Sequence, residues 1–379
     1  MVQSLSKRKD YPCLSENTYL NQASLGLISE GSVQSMHNFL DDTGRHGNLN
    51  MSDSEEASFL EPLRANGSKL IDCNPDNLAI TSSASEILNQ LPYLFEPKSG
   101  SKILMVSTDF PALTRPWIAY CQKANCEIKF IDESADKNLT EQLIANLDAN
   151  TAAVCVSYVQ FSTGTLINVK RLRETTNKIG AKLIIDITQA AGALPIHFND
   201  WMPDVIVCSG YKWLGGHGGV AISFISSELL KKTPPTPGWF GAKNPFDMNA
   251  KILSMAENAR RYTQATMSYI SVVGLNKSIL ELLELKPVEI CNHAQSLSEN
   301  LFLGLKNSDW TPYRAPSDKE ASSHIISLSH QNAESSLVLQ KLKSKKVVCS
   351  ERNDRIRISL AHYNNEQDID NLLNVLKSG

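Results

Sequence analysis

Residues 204–219 read DVIVCSGYKWLGGHGG, an apolar strand that ends in Ser209-Gly210-Tyr211, presents Lys212 and runs into a glycine-rich loop. A lysine held where a buried strand meets its loop can lose its proton and act as a nucleophile, as Schiff-base formation with an aldehyde requires. A second apolar run upstream, KLIIDITQ (182–189), carries Asp186 and Gln189. A buried carboxylate and a strand-end lysine point to pyridoxal 5'-phosphate, the lysine holding the aldehyde and the aspartate facing the pyridine nitrogen. Alone, Lys212 reads as a solvated surface lysine. A bland reading of Asp186 needs another cation, because a buried unpaired carboxylate is costly, and the sequence shows none nearby.

Short apolar runs alternate with helical patterns outward from this pair. The strands are expected at 78–82, 102–107, 126–132, 152–157, 182–188, 204–209 and 220–225. Between them lie amphipathic stretches such as ASEILNQLPYLF, LTEQLIANL and NVKRLRETTNKIG, the last closing on Gly180 as a helix C-cap. The alternation predicts an α/β fold: a mostly parallel seven-stranded sheet between two layers of helices. From about Ser268 the texture changes to two long helical patterns, the strand-like HIISLSH, KVVCSER and RIRISLA, and a closing helix. We therefore expect three parts: an N-terminal substrate-side segment (1–30), a large cofactor-binding domain (31–269) and a small C-terminal α+β domain (270–379). TPPTPGWFGAKNPF (233–246) reads as an ordered loop near the site.

Composition narrows the function class. The chain has 379 residues with a net charge of −3, so no basic footprint argues for nucleic acid. No stretch approaches a membrane span and the N-terminus lacks the apolar core of a secretory signal. The eight cysteines show neither metal nor disulfide spacing, and Cys155 and Cys208 fall within apolar strands as small hydrophobes. A reduced, cytoplasmic enzyme without a metal site is expected.

The remaining candidates should converge at the carboxyl ends of the strands. In TSSASE (81–86) the free amides and hydroxyls of Ser83, Ala84 and Ser85 offer an anion seat, although the same residues make a plain serine N-cap. Ser209 and Tyr211 are further phosphate donors. Phe110 is placed to lie face-on to a flat cofactor, or else in the core. Gln189 is expected to bond the ring oxygen. Arg357, in RIRISLAHYNN, is the candidate for a substrate carboxylate, which a guanidinium matches in two parallel bonds; Arg352 and Arg355 read as surface ion-pair residues. His217 reads as structural and Cys349, within KVVCS, as an inert thiol.

In order along nearly the whole chain, YLNQASLG (19–26), TSSASE, DFPALTRPW, SYVQFSTGTLINV, IDITQAAGALPI, SGYKWLGGHG, GWFGA and RIRISLAHYNNEQDID resemble the aminotransferase class V group of fold-type I pyridoxal-phosphate enzymes. That group includes cysteine desulfurases, selenocysteine lyases, kynureninase and isopenicillin N epimerase-like proteins. The resemblance implies that Lys212 forms the Schiff base, Asp186 pairs with the pyridinium, Gln189 meets the ring oxygen and Phe110 stacks on the ring. It further implies phosphate contacts from Ser85, Ser209 and Tyr211, carboxylate binding by Arg357, and a homodimer with shared sites. Thr266, in RYTQATMSY, then reaches the neighbouring subunit's phosphate, although Ala-Thr stands here where the group has Gly-Thr. Desulfurases of the group carry a catalytic cysteine on a long loop before the terminal arginine; here only SERNDRI separates Cys349 from Arg357, which disfavours that activity. The expected function is lyase chemistry at the β-carbon of a cysteine-derived or similar amino acid. Alternatives are amino transfer to a keto acid, epimerisation, and cofactor binding without turnover.

Overall fold

The computed structural model describes residues 2–377. Its large sheet has seven strands in the order Leu78–Thr81, Ala221–Ile225, Val205–Ser209, Lys182–Asp186, Thr151–Ser157, Lys102–Val106 and Glu127–Ile131. Every expected strand is present within a residue or two of its boundaries. The five strands from Val205–Ser209 to Glu127–Ile131 pair in parallel, whereas Ala221–Ile225 is antiparallel to both of its neighbours. The reason is local: a parallel return needs a crossover of about a dozen residues or more, usually helical. The link 210–220 is a glycine-rich loop without a helix, so the chain doubles back.

Alternate side chains of the central strands enter two cores, one on each face of the sheet. Leu183, Ile185, Val154, Val156, Ile206 and Cys208 join one; Ile184, Ala153, Cys155, Val205 and Val207 join the other. Each Val, Leu or Ile among them contributes roughly 1.5–3 kcal/mol on full burial, which is why the runs are apolar throughout rather than alternating. The outer strand Glu127–Ile131 is the exception, with Glu127, Lys129 and Phe130 exposed at the sheet edge. The helix Val169–Ile179 ends at Gly180 with φ 74°, the left-handed cap its sequence predicts. ASEILNQLPYLF forms two short helices, Ala84–Leu88 and Leu91–Phe95, rather than one, because Pro92 opens the second.

A second, antiparallel sheet of four strands runs Ser350–Arg352, Arg355–Ser359, Ile325–His330 and Trp310–Pro312. The helices Pro287–Gly304, Ser335–Ser344 and Glu366–Leu376 share its core. The helix Tyr269–Leu285 belongs instead to the large core through Val272, Leu275, Ile279 and Leu282, so by core membership the chain largely changes unit at Lys286. KVVCSER splits at Cys349: Val347–Val348 pairs in parallel with Thr18–Tyr19, and Ser350–Arg352 pairs with Arg355–Ser359. The N-terminal segment thus passes between the two units on its way to the lysine. Among the described residues no helix is long and apolar enough to cross a membrane.

Candidate active site

Asp186 ends its strand between Ser157 and Val207 on the neighbouring strands, and Lys212 follows the end of the next strand. Both side chains enter one pocket, whose lining also includes Ser83, Ala84, Ser85, Phe110, Gln189, Ser209 and Tyr211. Nine residues far apart in sequence are therefore brought together as expected. Ser157, Phe161 and Thr188, which the sequence did not single out, line the same space.

Lys212 is 7% exposed, and its amine makes no hydrogen bond or ion pair among the described residues. It sits 5.1 Å from the Phe110 ring centroid and 5.7 Å from that of Tyr211. Burial lowers its pKa to about 8; Asp186 opposes that shift, and the Arg357 and Arg352 charges add to it. Asp186 is equally buried, and no cation lies within ion-pair distance among the described residues. Burial raises its pKa, while the Thr188 hydroxyl, the Thr188 N–H (2.7 Å to Oδ1) and the Lys212 charge pull it back. A buried amine and a buried carboxylate that do not pair with each other are both costly unless a ligand meets them.

The rest of the pocket continues the pattern. Among the described residues the hydroxyls of Ser85, Ser209 and Tyr211 make no hydrogen bond, leaving three donors for an anion. Ser83 caps its helix, accepting from the Glu86 N–H at 3.3 Å, so its hydroxyl serves the N-cap role. Phe110 is 38% exposed and meets the edge of Phe161 at 5.6 Å between centroids. Its backbone N–H donates to Asp109 Oδ1 at 2.7 Å, and Asp109 also accepts from the Ser157 N–H and hydroxyl and from Gln160. Burial raises the Asp109 pKa to about 6 against those four bonds. Gln189 Oε1 takes the Trp213 indole N–H at 2.8 Å and one of its amide hydrogens goes to Ala23, so one amide hydrogen is left over. These features fit pyridoxal phosphate: a free amine for its aldehyde, a carboxylate for its ring nitrogen, an aromatic face, and hydroxyls for its phosphate.

Two residues of the N-terminal segment hold this arrangement. Gln22 donates to the Lys212 carbonyl at 2.9 Å and accepts from the Leu27 N–H and the Tyr363 hydroxyl. Gly26 lies so close that a Cβ there would stand 2.1 Å from the Lys212 carbonyl oxygen. Their signal was the YLNQASLG motif, although neither residue carries recognisable chemistry alone.

Arg357 is 1% exposed; it donates through Nε to Ser350 at 3.1 Å, to the Phe161 carbonyl at 2.7 Å, and to the Ser24 hydroxyl. Burial, then the Arg352 charge, lowers its pKa to about 9. Arg352 and Arg355 depart from the surface ion-pair reading: Arg352 turns to Ser24, and Arg355 covers the Tyr313 ring at 4.7 Å. Thr266 is exposed and outside this pocket, and His217 is exposed in its loop. The loop 233–246 packs against 254–264 and lines a separate cleft, rather than the pocket of Lys212. Cys349 is buried, its thiol pushed up to about 12 by desolvation.

A relative named as an uncharacterized aminotransferase YcbU of Bacillus subtilis is 25% identical over 370 residues, covering 96% of this chain and 94% of its own. The kynureninase of Bacillus mycoides is 26% identical over 383 residues, covering 95% and 87%. Among solved structures, a C-DES mutant with glycine covalently linked to the pyridoxal-phosphate cofactor superposes with TM-score 0.90 at 19% identity, over 99% of this chain and 100% of that one. A cysteine desulfurase from Thermococcus onnurineus superposes with TM-score 0.86 at 19% identity, over 98% and 96%. These two likenesses show the fold. The model of the aminotransferase class-V family matches residues 18–372, and the chain belongs to that family of pyridoxal-phosphate-dependent enzymes.

Proposed function

We propose that this protein is a homodimeric lyase that breaks a bond at the β-carbon of a cysteine-derived or similar amino acid. The observation that carries the reading is the pairing of Lys212, a buried amine with a depressed pKa, with Asp186 in one pocket and a buried arginine beside it. Arg357 orients the substrate by its carboxylate. Lys212, whose Nζ gives up its proton far more readily than an ordinary lysine, takes the proton from the α-carbon. Asp186 would pair with the positive charge of a pyridine nitrogen, which together with the Thr188 bonds favours its ionised form against burial. Bound pyridoxal phosphate supplies an electron sink for the α-carbanion. Phe110 and Phe161 wall the site with apolar surface, and Ser85, Ser209 and Tyr211 donate to the phosphate.

Departure of a β-substituent into solution, rather than sulfur transfer to the protein, is favoured by Cys349. Its thiol is sealed in the core, and the chain between it and Arg357 is a tight hairpin with no room for a mobile nucleophile. The likeness to kynureninases and to a solved structure named as a cystine C–S lyase supports the same reading. Amino transfer is the second reading, favoured by the likeness to the aminotransferase YcbU. The dimer rests on exposed apolar side chains at Leu49, Met248, Ile252 and Leu253, and on exposed Thr266, which a second copy would bring to a phosphate. The test is a spectral screen of the purified yellow protein against amino acids, with products identified by mass. Pyruvate and ammonia with a released thiol are expected; strict dependence on a keto-acid acceptor would replace the lyase with the transferase.

A further inference from the structure

Resting on that reading, we propose that Arg352 is a second carboxylate-binding residue, which closes with Arg357 on the α-carboxylate of the substrate. The hairpin places it there. Asn353 and Asp354 turn with φ 49° and 57°, two consecutive left-handed residues of the kind that join strands tightly. The register pairs Ser350 with Arg357 and Arg352 with Arg355, so these four side chains leave one face of the sheet. Arg355 then swings away to Tyr313. Arg352 does not: its Nη2 donates to Ser24 Oγ at 3.3 Å, the same oxygen that receives an N–H from Arg357.

Two guanidiniums therefore converge on one neutral oxygen. Among the described residues no carboxylate lies within ion-pair distance of either. Like charges brought together out of water repel, and the arrangement is relieved when an anion arrives between them. Arg357 has used three of its five N–H groups, on Ser350, Phe161 and Ser24, and Arg352 two, on Glu351 and Ser24. What remains is enough to saturate both oxygens of a carboxylate. Both arginine charges also act on Lys212, adding to the fall in its pKa. Sequence pattern alone could not show this, because Ser24 is the meeting point and lies more than 300 residues away in the chain.

The test uses the cofactor-loaded protein and four small probes: L-alanine, L-aspartate (alanine with a side-chain carboxylate), ethylamine (alanine without its carboxylate) and propionate (alanine without its amine). Affinities for the three amines are read from the cofactor absorbance, and that for propionate by calorimetry. Arg352→Ala should weaken alanine and propionate by roughly 10- to 100-fold, the loss of charge-assisted hydrogen bonds, and leave ethylamine within about twofold. Arg352→Lys should restore part of the loss. Unchanged alanine and propionate binding would overturn the assignment. So would an equal loss for ethylamine, which marks a structural role, or a loss confined to amino acids with acidic side chains, such as L-aspartate. A wild-type protein whose spectrum ignores every amino acid, yet which binds propionate through Arg352, would fault the proposed function and leave the clamp standing.

Discussion

Replacing the cofactor-free protein's solvent pH is enough to expose the state of Lys212. With a pKa of about 8 rather than the ordinary 10.5, the neutral fraction at pH 7 rises from about 0.03% to about 9%, roughly 300-fold. Attack on an added aldehyde requires that neutral form. The rate at which apoprotein captures pyridoxal phosphate, followed by stopped-flow absorbance and located by borohydride reduction, should climb with pH and level off just above 8. Only Lys212 should carry the reduced label. The same displacement has a thermodynamic side. Because the folded-state pKa lies below the unfolded one, protonated Lys212 burdens the apoprotein by an amount on the order of 3 kcal/mol below pH 8, a burden relieved as pH rises toward 10.5. Lys212→Met apoprotein should therefore be the more stable at pH 7, with the advantage shrinking toward pH 10.5. A capture rate that keeps rising tenfold per pH unit past 9, or a Met variant no more stable at neutral pH, would refute the desolvated-amine argument.

Three further outcomes follow from the same geometry. Asp186→Asn removes the charge that favours protonated Lys212, so the capture profile should shift below pH 8, while turnover of the holoenzyme should fall by about 100-fold or more; faster capture and slower turnover in one variant is the signature to seek by paired kinetics. Gly26→Ala puts a methyl group against the Lys212 carbonyl and should cost about 1–3 kcal/mol, seen as a lower midpoint in thermal unfolding and as cofactor lost on gel filtration. Cys349→Ala should leave turnover within about twofold, with a loss of stability near 1 kcal/mol; a well-folded variant that no longer releases product would restore a thiol nucleophile to the mechanism.

The large sheet was legible because each strand is a short apolar run with its own boundaries, and burial on both faces leaves that mark at every position. The Lys212–Asp186 pair was legible because strand ends of a parallel sheet share one side. The direction of Ala221–Ile225 was not, since antiparallel and parallel buried strands read alike until the connecting loop is inspected for a helix. Asp109 was not singled out, because three of its four donors come from Ser157 and Gln160, about fifty residues away in the chain. Gln22 and Lys212 meet across 190 residues, and no local pattern encodes such a contact. Arg352 read as a surface charge because alternation assigns a face but not the direction a long side chain takes from it.

The short parallel pair Thr18–Tyr19 with Val347–Val348, extended by the Asn21–Ser359 bridge, has a consequence for biosynthesis. On a ribosome the large sheet can assemble while its C-terminal third is still being made, because its strands all lie before residue 226. The segment bearing Gln22 and Ser24 cannot settle until the hairpin ending at Ser359 has left the exit tunnel, since domains form as units in order of emergence. Nascent chains should thus own the aldehyde-reactive lysine before they own the means to select an amino acid, and trapping of stalled chains with cofactor and borohydride would find labelled intermediates that bind no carboxylate.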